Sequence, residues 1–123
     1  RDQFSQVLIN LINNAVDAIE ETKKETGNKL KITFAGDKTM FSIIIEDTGA
    51  GISPKYIERI FDPFFTTKQF GKGTGLGLPV SYGIIKMHSG DIKVESNGDP
   101  SKGPTWTKVI VNIPRYDTRE KIV

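Results

Sequence analysis

The run Gly-Lys-Gly-Thr-Gly-Leu-Gly-Leu at residues 71–78 constrains this chain more than any other stretch, because four alternating glycines give way at once to a helical pattern. Glycine backbones adopt positive φ at little cost and expose their N–H groups. The first N–H groups of a helix lack intrahelical partners and sit at the positive end of its dipole, so a loop of this kind emptying into a helix is a ready anion site. A flexible linker would be richer in serine and would not pass into ordered apolar periodicity. Neither common phosphate motif is present. No Gly–four residues–Gly-Lys-Ser/Thr run occurs, and Leu76 and Leu78 stand where a dinucleotide fingerprint needs its third glycine.

At 123 residues the chain is long enough for one self-sufficient core and too short for two ordinary domains. We expect one domain over residues 1–114 and a charged, aperiodic, frayed tail over 115–123. The 17 basic and 15 acidic residues are spread along the chain and leave a formal charge of +2, which argues against nucleic acid or a membrane surface as partner. With no cysteine and one histidine there is no zinc site and no thiol nucleophile. No apolar run reaches membrane-spanning length and no secretory pattern opens the sequence, so the expected location is the cytoplasm.

Apolar residues at three- and four-residue steps predict a long amphipathic helix from residue 2 to about 24, with Asp2 as N-cap and Gly27-Asn28 as its end. At roughly 100° per residue, Asn10, Asn14 and Asp17 share the flank of its apolar stripe. Asparagine is a poor helix former, so Asn10, Asn13 and Asn14 within five residues call for a function. Two strand patterns follow, at 30–34 and 41–46, around a Gly-Asp-Lys turn. The second runs into Asp47-Thr-Gly-Ala-Gly-Ile52, where a plain turn accounts for Asp47 and Gly49 but not for Gly51.

Ser53 as N-cap and Pro54 at the first helical position predict a short helix to about Ile60. The aromatic, proline-broken stretch at 61–68 then reads as a lid or hinge. A third helix is expected at about 76–87, ended by Ser89-Gly90, and two closing strands at 91–95 and about 106–113. The order implies a two-layer α/β sandwich with a mixed, largely antiparallel sheet and helices on one face.

These stretches together resemble the ATP-binding catalytic domain of the sensor histidine kinases, in the superfamily of gyrase-type topoisomerases, the large heat-shock chaperone and mismatch-repair ATPases, whose fold is the Bergerat type. Gln6 to Ala15 resembles the family's N box, residues 47–52 its first glycine box, 61–68 its F box and 71–78 its second glycine box. Phe-Phe-Thr-Thr-Lys followed closely by the second glycine box is similar to the nitrogen-regulatory and sporulation-kinase branch. The resemblance covers nearly the whole chain.

By that resemblance the ligands are ATP and Mg²⁺. Asn14 is implied as the Mg²⁺ ligand, with Asn10 one turn earlier and Lys68 in the lid sharing the phosphoryl-transfer site. Asp47 is implied as the adenine reader, since a carboxylate accepts from the exocyclic amine of adenine where guanine offers a carbonyl. Gly49, Gly51 and Ile52 would approach the base; Phe61, Thr67, Lys68, Lys72, Gly73, Thr74, Gly75, Leu76, Gly77 and Leu78 would surround the nucleotide, and Arg59 is a further source of countercharge. Many histidine kinases carry a basic residue at Asp17; here an acid leaves two roles open, holding a metal-bound water or facing a basic lid residue. The adenine-side threonine is Thr105 counting from Gly103 and Thr107 counting back from Pro114, and the strand alternation favours Thr107.

His88 sits at a helix end, suited to capping, and is not followed by the acid usual beside a phosphoacceptor. The resemblance therefore implies an acceptor histidine on a dimerisation domain N-terminal to Arg1, a homodimeric full-length protein that could be membrane-anchored, and relay to a response-regulator receiver domain. A strand usual before the first helix is absent. The rival readings are a same-fold ATPase that drives conformational change, a nucleotide-dead scaffold, and an anti-sigma-type serine kinase.

Overall fold

The computed structural model describes residues 2–62 and 77–115. Helix α1 (Asp2–Thr22) precedes strands β1 (Leu30–Gly36) and β2 (Met40–Asp47); helix α2 (Gly77–Met87) precedes β3 (Asp91–Asn97) and β4 (Trp106–Pro114). The strands form one sheet in the order β1-β2-β4-β3, and every pairing among the described residues is antiparallel. Both helices lie on one face. The expected cap side chain of Asp2, the residues Thr67, Lys68, Lys72, Gly73, Thr74, Gly75 and Leu76, and the tail at 116–123 lie outside the described residues.

The register sorts the sheet into rungs. On the helix-facing side Phe34, Ile43, Val111 and Ile92 stand in one row, and Ile32, Ile45, Val109 and Val94 in the next. Val7, Leu11 and Ala15 of α1 and Ile85 of α2 close over these rows. Each fully buried Val, Leu or Ile contributes about 1.5–3 kcal/mol. On the opposite face Lys31, Glu46, Lys108 and Glu95 make a rung of alternating charge, the pattern of a sheet face turned to water. The third helix-facing row is Leu30, Asp47, Thr107 and Ser96, so the core turns polar at that end of the sheet.

The strands run one or two residues longer than the sequence patterns, and three further boundaries differ from them. Helix α1 stops at Thr22, whose hydroxyl donates to the Ile19 carbonyl at 2.7 Å and accepts from the Lys24 N–H at 3.2 Å, drawing the last turn away from helical bonding five residues before Gly27. The helix expected to begin at Ser53 is a turn followed by a 3₁₀ segment, Ile57–Arg59, with no side-chain cap. So short a segment cannot sustain an α-helix in isolation; i to i+3 bonds such as Arg59 N–H to the Tyr56 carbonyl at 2.8 Å close it instead, while Ile60 is buried. Arg115, assigned to the tail, is held: its N–H donates to the Thr39 carbonyl at 2.8 Å and its guanidinium lies 5.5 Å from the centre of the Phe41 ring.

At the other helix end the left-handed residue is Ser89, at φ 61°, with Gly90 N–H bonded to the Ile85 carbonyl and Ser89 N–H to that of Lys86. This double bond pattern terminates α2 where the sequence placed its stop.

Candidate nucleotide-binding site

Helices α1 and α2 run antiparallel. The Phe4 ring lies 4.6 Å from that of His88, and Asn10 Nδ2 donates to the Ser81 hydroxyl at 3.3 Å. Continuing that progression one turn along α1 brings Asn14 level with the first residues of α2, the end at which helical N–H groups point outward. Asn10, Asn14 and Asp17 thus share the flank that faces α2, and all three are half-buried. His88 lies at the opposite, C-terminal end of α2, where a histidine complements the helix dipole.

The polar rung supplies the floor. Asp47 is 6% exposed and Thr107 7% exposed, side by side in register on β2 and β4. Burial pushes the Asp47 carboxyl up to about 6, against the opposing effect of the Gly49 N–H, which donates to its Oδ1 at 2.8 Å. Thr105 precedes β4 and has no place on the rung, so Thr107 is the threonine beside Asp47.

The turn after Asp47 is pinned from two sides. Ala50 N–H donates to the Ala18 carbonyl at 2.9 Å, and a Cβ on Gly49 would come within 2.5 Å of the Ala18 backbone. Gly51 has φ +75°, and a Cβ there would lie 2.1 Å from the Asn97 carbonyl oxygen. Both glycines thus allow close approach of protein backbone, which joins the turn to α1 on one side and β3 on the other. Ala18 lies one helical turn beyond Asn14, so the same contact sets the distance between the Asn14 flank and the polar rung.

Of the remaining residues singled out from the sequence, Phe61 packs on Tyr82 with ring centres 4.9 Å apart and rests against the core. Leu78 also packs against the core from the first turn of α2, and Gly77 opens that helix. Arg59 is exposed and pairs with Asp62 at 3.6 Å, a surface ion pair of small energetic weight. Ile52 N–H donates to the Ser96 hydroxyl at 2.8 Å. A hollow at the polar end of the sheet is lined by Asp47 and Thr107 of the rung together with Lys29, Lys31, Glu46, Thr48 and Trp106.

Ser81 and Ser96 escaped the sequence reading. Ser81 is fully buried on the face of α2 that carries Ile85, three and seven residues from Leu78 and His88, and that spacing was the available signal. Ser96 lies two residues beyond Val94 and continues the helix-facing alternation of β3. Among the described residues no group of three His, Cys, Asp or Glu is gathered to hold a metal ion, and no helix is long and apolar enough to cross a membrane.

Comparison with known proteins identifies the family and the fold. The family described as histidine kinase-, DNA gyrase B-, and HSP90-like ATPase matches residues 1–117. The chain is 43% identical over 116 residues to the sensor kinase CckA of Brucella abortus, covering 85% of this chain and 12% of the relative. It is 42% identical over 106 residues to sporulation kinase A of Bacillus subtilis, covering 86% and 16%. To the signal transduction histidine-protein kinase AtoS of Escherichia coli it is 43% identical over 111 residues, covering 89% and 17%. The chain therefore spans less than a fifth of these relatives.

Among solved structures, the nucleotide-free catalytic domain of histidine kinase ThkA superposes with a TM-score of 0.72 at 35% identity, covering 92% of this chain and 67% of that one. A mycobacterial sensor histidine kinase, MprB, superposes at 0.75 over 92% of this chain and 72% of that one; at 23% identity it speaks for the fold alone. The chain belongs to the histidine kinase-, DNA gyrase B-, and HSP90-like ATPase family, as an ATP-binding catalytic domain of the sensor histidine kinase type.

Proposed function

We propose that this domain holds Mg·ATP with adenine against Asp47 and Thr107 and the phosphates toward Asn14 and the start of α2, and presents the γ-phosphoryl to a histidine on a separate dimerisation domain. The observation that carries this reading is the polar rung at the end of the otherwise apolar, helix-facing side of the sheet, pinned by the 47–51 turn to the helix that bears Asn14. A response-regulator receiver domain would take the phosphoryl group next, within a homodimeric protein whose catalytic part lies in the cytoplasm. These partners rest on the family's resemblance and the relatives' names.

Each side chain has a bounded task. The Asp47 carboxylate accepts from the exocyclic amine of adenine, and a guanine carbonyl at that point would meet a buried acceptor and go unpaired. The N–H groups opening α2 face the phosphates. The donor set suits Mg²⁺, because a half-buried Asn14 offers one neutral oxygen and no acidic cage among the described residues competes, the mode of a cation that fills its shell with phosphate oxygens and water. When bound, the ion neutralises phosphate charge. Transfer itself asks mainly for positioning.

Asn10 favours a kinase over a water-directed ATPase of the same fold. Its amide has no basic lone pair to activate water and its Nδ2 is bonded to Ser81. An incoming imidazole is itself a competent nucleophile. The test supplies the isolated domain with Mg·ATP alone and then with a histidine-bearing dimerisation domain. Phosphohistidine formed only in the second case supports the proposal; brisk hydrolysis alone, with no transfer, refutes it.

A further inference from the structure

We infer that Ser96 is the positioning residue that sets the base specificity of the adenine site, by fixing the Thr107 hydroxyl as an acceptor; this rests on the reading that Asp47 and Thr107 meet the base. Ser96 completes the polar rung beyond Thr107. Its Oγ accepts from the Ile52 N–H at 2.8 Å, donates to the Trp106 carbonyl at 2.7 Å, and stands 2.9 Å from the Thr107 Oγ1. A serine hydroxyl has one proton and two lone pairs. With that proton on the Trp106 carbonyl, the third contact is Thr107 donating to Ser96.

The consequence falls on the base. Thr107 has spent its proton, so toward the site it presents lone pairs only, next to the acceptor-only carboxylate of Asp47. Two adjacent acceptors match the two N–H bonds of an exocyclic amine. They oppose the carbonyl that guanine offers in the same place. Were Ser96 absent, Thr107 could turn its proton toward the base and satisfy a carbonyl. The same Ser96 oxygen also ties the end of the 47–52 turn to β3, so one hydroxyl holds both the polarity of the rung and the loop beside it.

The experiment measures dissociation constants of Mg·ATP, Mg·GTP and inorganic tripolyphosphate for the native domain, Ser96→Ala, Ser96→Cys and Ser96→Thr by titration calorimetry, each checked for cooperative unfolding. Removing the hydroxyl should weaken ATP roughly tenfold while GTP holds or tightens and tripolyphosphate is unchanged. Ser96→Cys keeps the volume but is a weak donor and acceptor, and should follow Ser96→Ala should the alanine variant fold poorly. Ser96→Thr restores the hydroxyl and should regain the native preference. An unaltered ATP-to-GTP ratio in Ser96→Ala and Ser96→Cys overturns the inference, as does an equal loss for all three ligands, which would mark a general structural role. A native domain with no preference for ATP would instead defeat the adenine reading on which it rests.

Discussion

Asp47 and Thr107 face each other across β2 and β4 on the last helix-facing rung of the sheet, both almost wholly buried, while the two rungs behind them are apolar from edge to edge. Burying a carboxyl at the end of a hydrophobic core costs free energy unless it is hydrogen-bonded, and one N–H, from Gly49, is given to it. Such a placement is poor for stability and good for recognition, because a desolvated acceptor discriminates sharply between a donor and another acceptor.

Asp47→Ala should therefore weaken ATP binding by about 2–3 kcal/mol, the scale of a lost hydrogen bond to a charged group, and leave GTP nearly unaffected. Titration calorimetry with both nucleotides checks it. Losses that match for the two would show that Asp47 shapes the pocket without reading the base.

The raised Asp47 carboxyl gives a pH test. Folded, the group titrates near 6 against 3.8 ordinarily, so the folded chain holds the proton more tightly than the unfolded one. Its contribution to stability accordingly falls as pH rises from about 3.8 to 6 and is constant above. Nucleotide binding runs the other way, since protonation removes the charged acceptor: ATP affinity should be flat above about pH 6.5 and decline below 6. Comparing the native domain with Asp47→Asn between pH 5 and 7.5 isolates the group, and the variant should lack the decline that native protein shows.

The 47–51 turn should be as intolerant as its packing implies. Gly49→Ala drives a methyl into the Ala18 backbone, and Gly51→Ala adds a positive φ to a clash with the Asn97 carbonyl. Overpacking of this kind costs about 1–3 kcal/mol, and the second substitution should be the worse. Denaturant unfolding measures it, and ATP affinity should fall in both because the turn carries Asp47 and Ile52.

Much of this was legible in the chain because period-2 alternation in Val109, Val111 and Ile113 fixes which side chains face the helices, and that parity puts Thr107 on the same side. The stripe of α1 likewise announced its flank of Asn10, Asn14 and Asp17. What stayed hidden depends on contacts between distant segments. Ser96 sits before Asn-Gly and reads as the start of a turn, and only the pairing of β3 with β4 makes it Thr107's neighbour. Gly49 and Gly51 look like room for a ligand, whereas the close approaches the fold displays there belong to Ala18 and Asn97. Cap residues at Ser53-Pro54 cannot compel a helix when so few residues separate them from buried Ile60.

Asn10 offers the sharpest separation of transfer from hydrolysis. Its amide cannot accept a proton from water, and through Nδ2 it links α1 to Ser81 in α2. The isolated domain should bind ATP and turn it over very slowly. Asn10→Glu places a carboxylate at that point while keeping the helix link, because the Ser81 hydroxyl can donate to the new oxygen in place of accepting from the old amide. General-base assistance is worth about 10²–10⁴-fold where geometry is good, so a gain of at least tenfold in phosphate release is expected from a helix position imperfectly placed for the task. Transfer to a supplied histidine should not gain in proportion, since the imidazole needs no base. Steady-state phosphate release and phosphohistidine formation, followed on both proteins, distinguish the two. A variant that hydrolyses no faster than the native domain while binding ATP equally well would remove Asn10 from the account of why water is a poor acceptor here.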